Sequence, residues 1–315
     1  MYYLIYLLFG ANKESFINEL IYSLLSFNKI AGDWSKRNIQ ILIYTEDKIH
    51  LPEQLADLPI GFVVLSGKEI DEWYRRANGY PLILKARVMS EFLQKFTANG
   101  ILVDTDTFFA KDPETLFKAI EQGCFVMHLK EYPITRRPEV HSLLQTKTFK
   151  RLNGDLFMID PAIYMWNSGV VGIKADQQEL VAEIIYLIEQ MSFEKAWPPE
   201  ERRFIEQTSY SCYLQGQDMP LLPADEYIIH YWFFKPARYL LGNYFNYFHG
   251  SDYQESRRLM QIQNLEPEMF ASPSYNDLPH LIMKLIKKFS LNEAYFPECL
   301  PSDTHIGRIL REEMD

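Results

Sequence analysis

The chain has 315 residues, 32 Lys and Arg against 42 Asp and Glu, and a formal net charge of −10. Its hydrophobic content of 47% excludes a disordered chain and is enough for a sizeable core. The acidic balance argues against general nucleic-acid binding, which needs a basic face to displace phosphate counterions, although a local pocket for one phosphate group remains compatible with it.

The first half alternates strand and helix signals. Residues 2–9 form a continuous apolar run that predicts a strand buried on both faces. The run has no basic residues before it and no small-residue cleavage site after it, so it reads as the first strand of the domain rather than a leader. Gly10-Ala11-Asn12 makes the turn. Ser15 opens a helix to about Asn28, with Phe16, Leu20, Leu24 and Phe27 on one stripe. Strands are predicted at 38–44 and 60–65, a helix at 82–96 and a short strand at 101–103. This order implies a mainly parallel sheet covered by helices.

Asp112-Pro113-Glu114 starts another helix, with Asp112 as N-cap. Residues 124–129 read as a strand. Residues 132–154 are polar, basic and broken by Pro133 and Pro138, which predicts a mobile surface loop. Asn167-Ser168-Gly169 reads as a turn before a strand at 170–173, and helices follow at 178–191 and about 200–214. The expected organisation is a catalytic domain over 1–250 and a helical appendage over 251–315.

Cys124, Cys212 and Cys299 show neither metal-ligand spacing nor a disulfide framework, and no Asn-x-Ser/Thr acceptor occurs. Both facts fit a reducing, cytoplasmic setting. Residues 279–291 carry an apolar face of Leu281, Ile282, Leu285, Ile286 and Phe289 opposite Lys284, Lys287 and Lys288. The pattern describes a helix packed on the domain, with peripheral membrane contact as the most it would make.

The most informative stretch is residues 101–109, Ile-Leu-Val-Asp-Thr-Asp-Thr-Phe-Phe. An apolar strand delivers Asp104 and Asp106, two apart and so on one side, to the edge of the sheet. Two like charges held there are costly unless a cation neutralises them. A divalent ion so held can take further oxygen ligands from a diphosphate.

This run resembles the Asp-x-Asp motif of nucleotide-sugar-dependent glycosyltransferases of the GT-A fold, in the glycogenin-like and bacterial galactosyltransferase-like branch. Other segments match in the expected order over roughly residues 1–240. Residues 165–172, Met-Trp-Asn-Ser-Gly-Val-Val-Gly, look like the Asn-Ser/Ala-Gly-Val strand entry. Glu206-Gln207-Thr208 is similar to the acidic-Gln element, and residues 228–236 resemble the His…Lys-Pro element.

The resemblance implies an α/β fold of the GT-A type and transfer of a sugar, most often from a UDP-sugar, to a glycan, lipid or other hydroxyl, with retention. It implies Mn2+ or Mg2+ on Asp104, Asp106 and His230, with Asp104 also near the ribose and Lys235 on the diphosphate. His249 is a second candidate for the third ligand. Gly10 and Ala11 would border the nucleotide, and Lys85 or Arg87 would meet donor phosphate or sugar. Asn167, Ser168 and Gly169 would lie against the donor, with Glu206 and Gln207 beneath its sugar. Tyr231, Trp232, Tyr244 and Tyr247 could line the acceptor side.

Two rival readings stand beside it. Asp104-Thr105-Asp106-Thr107 also resembles the nucleophile motif of haloacid-dehalogenase-type phosphatases, with Asp104 attacking phosphorus and Gly154-Asp155…Asp160 as a metal element. There the nucleophile strand normally opens the sheet, whereas here three strands precede it. The third reading is a non-catalytic carbohydrate-binding relative, against which the intact acidic pair argues.

Overall fold

The computed structural model describes residues 1–10, 13–31, 38–52, 55–160 and 162–232. The expected division near residue 250, the helical appendage, the helix over 279–291, Tyr244, Tyr247 and His249 lie outside the described residues, as do Ala11 and Lys235.

Among the described residues the centre is a seven-stranded sheet flanked by helices. The apolar runs become β1 (Tyr2–Leu8), β2 (Ile39–Thr45), β3 (Ile60–Val64) and β4 (Asn99–Val103). β1 pairs in parallel with β2 and with β4, and β2 in parallel with β3. Beyond β4 lies β9 (Tyr164–Ile173), antiparallel to its neighbours, then β6 (Phe125–Pro133) and β10 (Leu221–Pro223). A single reversed strand therefore separates two parallel groups.

Alternation along the strands divides the core. Leu4, Tyr6, Ile41, Ile43, Ile101 and Val103 face α1 (Lys13–Ala31) and α4 (Glu114–Glu121). Ile5, Leu42 and Leu102 belong to the opposite cluster. That cluster takes in α2 (Gly67–Arg76), α3 (Ile83–Phe96), α6 (Gln178–Phe193) and α7 (Ile205–Gln215). With both faces covered, the strands need no polar side, which is why they read as continuous apolar runs. The N-cap of α4 is Pro113, which offers no side-chain cap, so the expectation of Asp112 as N-cap is one residue early; Asp112 lies just before the cap and accepts from the Glu114 N–H at 3.0 Å.

Further expectations need correction. Residues 132–154 are not a loop: they hold a 3-10 helix (Ile134–Arg136), α5 (Pro138–Thr146) and β7 (Phe149–Lys150). Val140, Leu143 and Leu144, spaced three and four apart, bury one face of α5, and Pro138 sits in its first turn. Pro138 thus starts a helix instead of breaking one. Asn167, Ser168 and Gly169 lie inside β9 rather than in a turn before it. The helix expected from about residue 200 begins as a 3-10 helix (Pro199–Phe204) and becomes α-helical only at Ile205.

Two short pieces frame the acidic pair. β5 (Thr107–Phe109) follows it directly and pairs antiparallel with β11 (Ile228–His230), with His230 opposite Thr107. β7 makes a small hairpin with β8 (Leu156–Phe157). Among the described residues no helix is long and apolar enough to cross a membrane.

Candidate active site

The site forms where β4 ends. The Asp104 N–H still donates to the Gly169 carbonyl of β9 at 2.8 Å, so the β4–β9 ladder carries Asp104 to its last rung. Thr107 Oγ1 then donates to the Asp104 carbonyl at 2.7 Å and tightens the bend into β5. Between the two acids, Thr105 turns the other way, towards Glu19 of α1. The β5–β11 pairing brings in residues from more than 100 positions away, and the Tyr231 N–H donates to the Asp106 carbonyl at 3.0 Å.

Asp104, Asp106 and His230 each offer a ligand atom, and these atoms lie within 4.8 Å of one another. His230 Nε2 is 3.1 Å from Asp106 Oδ1 and 3.7 Å from Asp104 Oδ2. His230 Nδ1 is 2.9 Å from Asn167 Oδ1, which also accepts from the Gly169 N–H at 2.9 Å. Two carboxylates and one imidazole nitrogen are a donor set that could hold a divalent metal ion.

Gly169 is required here for space. A Cβ on it would lie 2.0 Å from His230 Nδ1 and 2.3 Å from Cε1. The His230 ring occupies the volume that any other residue's side chain would need.

Lys85 supplies the charge balance. Its ammonium is buried, 2.9 Å from Asp104 Oδ1, and donates to the Ser168 carbonyl at 2.7 Å. Burial alone would push Lys85 down, but Asp104, Glu206 and Asp106 together outweigh it and hold the ammonium above its usual value. The acidic pair thus has one built-in cation, on the Asp104 side.

Glu206, at the start of α7, is 1% exposed. Its Oε2 accepts from Ser168 Oγ at 2.7 Å and its backbone N–H donates to Tyr80 Oη at 2.9 Å. Oε1 is buried and accepts no hydrogen bond among the described residues. Burial raises the Glu206 carboxyl above its usual range, while Lys85 and Ser168 pull the other way. Behind His230, the His128 ring meets it edge-on at 5.3 Å, and burial, with His230 beside it, pushes His128 down to about 3.

Two hollows that share part of their lining meet at the acidic pair. One, of about 450 Å3, includes Lys85, Glu131, Asn167, Glu206, Gln207 and His230 in its lining. The other, of about 370 Å3, is bordered by Phe9, Gly10, Phe16 and Tyr74. Asp104, Asp106 and Lys85 line both.

Most residues singled out from sequence therefore converge: Gly10, Lys85, Asp104, Asp106, Asn167, Ser168, Gly169, Glu206, Gln207 and His230 all border these hollows. Arg87 does not. It pairs with Glu189 of α6, because two residues along α3 from Lys85 is the far side of the helix. Tyr231 is core, packed near Tyr22, while Trp232 is 41% exposed and lines the larger hollow. Gly154, Asp155 and Asp160 are exposed around the β7–β8 hairpin and line neither hollow, so the phosphatase-like metal element is not assembled.

Sequence reasoning missed Glu131, Arg137, Arg203 and Phe204. Arg137 pairs with Glu201, and the guanidinium groups of Arg137 and Arg203 each lie 4.7 Å from the Phe204 ring at the edge of the larger hollow. No spacing signal marks these residues. They come from segments that meet only in the fold.

No protein-family model and no curated protein sequence matches the chain. Among solved structures it is similar to mouse xyloside xylosyltransferase 1 in its apo form, at 12% identity and a TM-score of 0.45, over 70% of this chain and 84% of that one. It is also similar to an active-site mutant of LgtC, at 11% identity and a TM-score of 0.41, over 71% of this chain and 73% of that one. The reading of function therefore rests on the site itself.

Proposed function

We propose that the chain is a metal-dependent glycosyltransferase that moves a sugar from a nucleotide-diphosphate sugar, a UDP-sugar foremost, to a hydroxyl of a glycan or lipid-linked acceptor. One observation carries the reading: Asp104, Asp106 and His230 converge beside a buried lysine, at the carboxyl end of a parallel strand and where two hollows meet. The smaller hollow, edged by Phe9, Gly10 and Phe16, takes the nucleotide, and the larger takes the sugar and acceptor.

Asp104, Asp106 and His230 would hold the ion. A divalent metal bound there supplies positive charge against the charge that develops on the leaving diphosphate. In the transfer the anomeric carbon's bond to the diphosphate oxygen breaks, and its electron pair leaves with the diphosphate. The acceptor hydroxyl oxygen forms the new bond. In the retaining course we favour, its proton passes to the leaving phosphate oxygen. Lys85 holds Asp104 in place and keeps the acidic floor from repelling a polyanionic donor. Glu206 and Gln207 lie beneath the sugar, with the buried Glu206 carboxylate held by Ser168 as part of the floor. Burial of Glu206 keeps it from serving as a solvent-coupled base, which favours retention.

A thermal-shift screen of nucleotide sugars with and without Mn2+ tests this. A donor at about 100 times its Kd stabilises by ~2.7 kcal/mol, and the shift should need the metal. A covalent aspartyl-phosphate formed at Asp104 from a phosphomonoester, with no response to any nucleotide sugar, would overturn it.

A further inference from the structure

Glu131 stands at an irregularity in the sheet. Lys130 pairs with Trp166 and Tyr132 with Met165, so two adjacent residues of β9 face three of β6, and Glu131 is the extra one. A bulge of this kind re-aims a side chain and is often found beside an active site. Here the Glu131 carboxylate enters the larger hollow and meets two amides. Asn167 Nδ2 donates to Oε1 at 3.1 Å, and Gln207 Nε2 donates to Oε2 at 2.8 Å.

We propose that Glu131 is a positioning residue, whose carboxylate fixes both amides and, through Asn167, holds His230 with its Nε2 lone pair available to a metal. The inference rests on the metal-dependent reading above. An ionised carboxylate only accepts, so each amide must turn its NH2 group towards Glu131 and its oxygen away. For Asn167 this decides the orientation of the amide by chemistry. Its Oδ1 then receives the Gly169 N–H and faces His230 Nδ1. An oxygen acceptor there requires a hydrogen on Nδ1. With its hydrogen held on Nδ1, the ring presents Nε2 to Asp104 and Asp106; without an ion Nε2 lies 3.1 Å from Asp106 Oδ1, and an ion bound between the carboxylates would take the place of that contact. For Gln207 the same constraint leaves Oε1 to accept from a bound ligand.

The experiment uses the full chain and Mn2+ alone as probe. Free Mn2+ is titrated by electron paramagnetic resonance against wild type, Glu131→Ala and Glu131→Gln. The His230 Nδ1–H is followed in parallel by 15N-edited NMR of the metal-free protein. Glu131→Ala should weaken Mn2+ binding roughly 10-fold or more and make the Nδ1–H exchange faster. Glu131→Gln keeps one oxygen acceptor but presents an NH2 group to the other amide, so it should fall between the two. This variant also decides the matter if the alanine variant fails to fold. Mn2+ binding and Nδ1–H protection equal to wild type in a folded variant would overturn the proposal. Failure of wild type itself to bind Mn2+ would instead sink the functional reading, and the Nδ1–H comparison would still decide the role of Glu131.

Discussion

Gly169→Ala is the most revealing single change, because it adds one methyl group at a point where the structure has no room. The new Cβ would lie 2.0 Å from His230 Nδ1. An ordinary contact between such atoms is ~3.5 Å, so the ring must retreat by about 1.5 Å. A movement of that size breaks the 2.9 Å contact of Nδ1 with Asn167 and carries Nε2 away from Asp106. Over-packing of this kind costs ~1–3 kcal/mol. The assay is a double-mutant cycle with His230→Ala, read both as urea stability and as Mn2+ affinity. In the wild-type background Gly169→Ala should destabilise by that amount and weaken Mn2+ binding. In the His230→Ala background the methyl group has space, and its effect on both readouts should nearly vanish. Additive effects, or undiminished Mn2+ binding by Gly169→Ala alone, would show that the ring does not sit where the geometry puts it.

Asp106→Ala should abolish Mn2+-dependent donor hydrolysis while the protein stays folded, since relief of the like-charge pair offsets the lost contacts to His230 and Lys85; unchanged Mn2+ dependence would refute its role. Lys85→Met leaves Asp104 and Glu206 without their cation and should cost about 1–3 kcal/mol in urea at neutral pH. Because the folded state holds Lys85 above its usual 10.5, its contribution is present below that value and lost as pH climbs through the raised one. Wild type and Lys85→Met should therefore converge in strongly alkaline buffer, and a gap that widens there would contradict the pairing. Glu206→Gln works in the opposite sense. Folded Glu206 retains its proton above its usual 4.5, so native stability falls as pH rises through that window. Relative to wild type, the glutamine variant should be more stable at pH 8 than at pH 4, and a gain confined to pH 4 would exclude a buried, raised carboxyl.

What could be read in advance divides along physical lines. β1, β2, β3 and β4 were legible as apolar runs and α3 by its helical apolar period. α2 was missed because its ten residues bury fully only Ile70, although Ser66 and Glu69 form a capping box that a search for helix starts would have found. α5 was hidden by treating Pro138 as a stop. Asp104, Asp106 and His230 were found because their motifs are local in sequence. The same local motif called for a cation to relieve the acidic pair but did not show that Lys85, in the first turn of α3, already serves Asp104.

Glu131 shows why the remainder of the site could not be read. Its role depends on the register of β6 against β9, where one extra residue changes what faces the hollow. Neither strand's sequence states that register, and a glutamate after an apolar run looks like any exposed acid. The Asn167-Ser168-Gly169 segment carries the complementary irregularity: β9 uses four steps, from Val171 to Asn167, where β6 uses two, from Met127 to Leu129. Two departures from ideal pairing, on facing strands, thus bring Asn167 and Gly169 against one histidine ring and Glu131 against Asn167. Regular pairing would have placed these side chains by simple alternation. The irregularities let one carboxylate reach two amides while a glycine leaves space for the imidazole, so the sheet's defects, more than its regular ladder, build this part of the site.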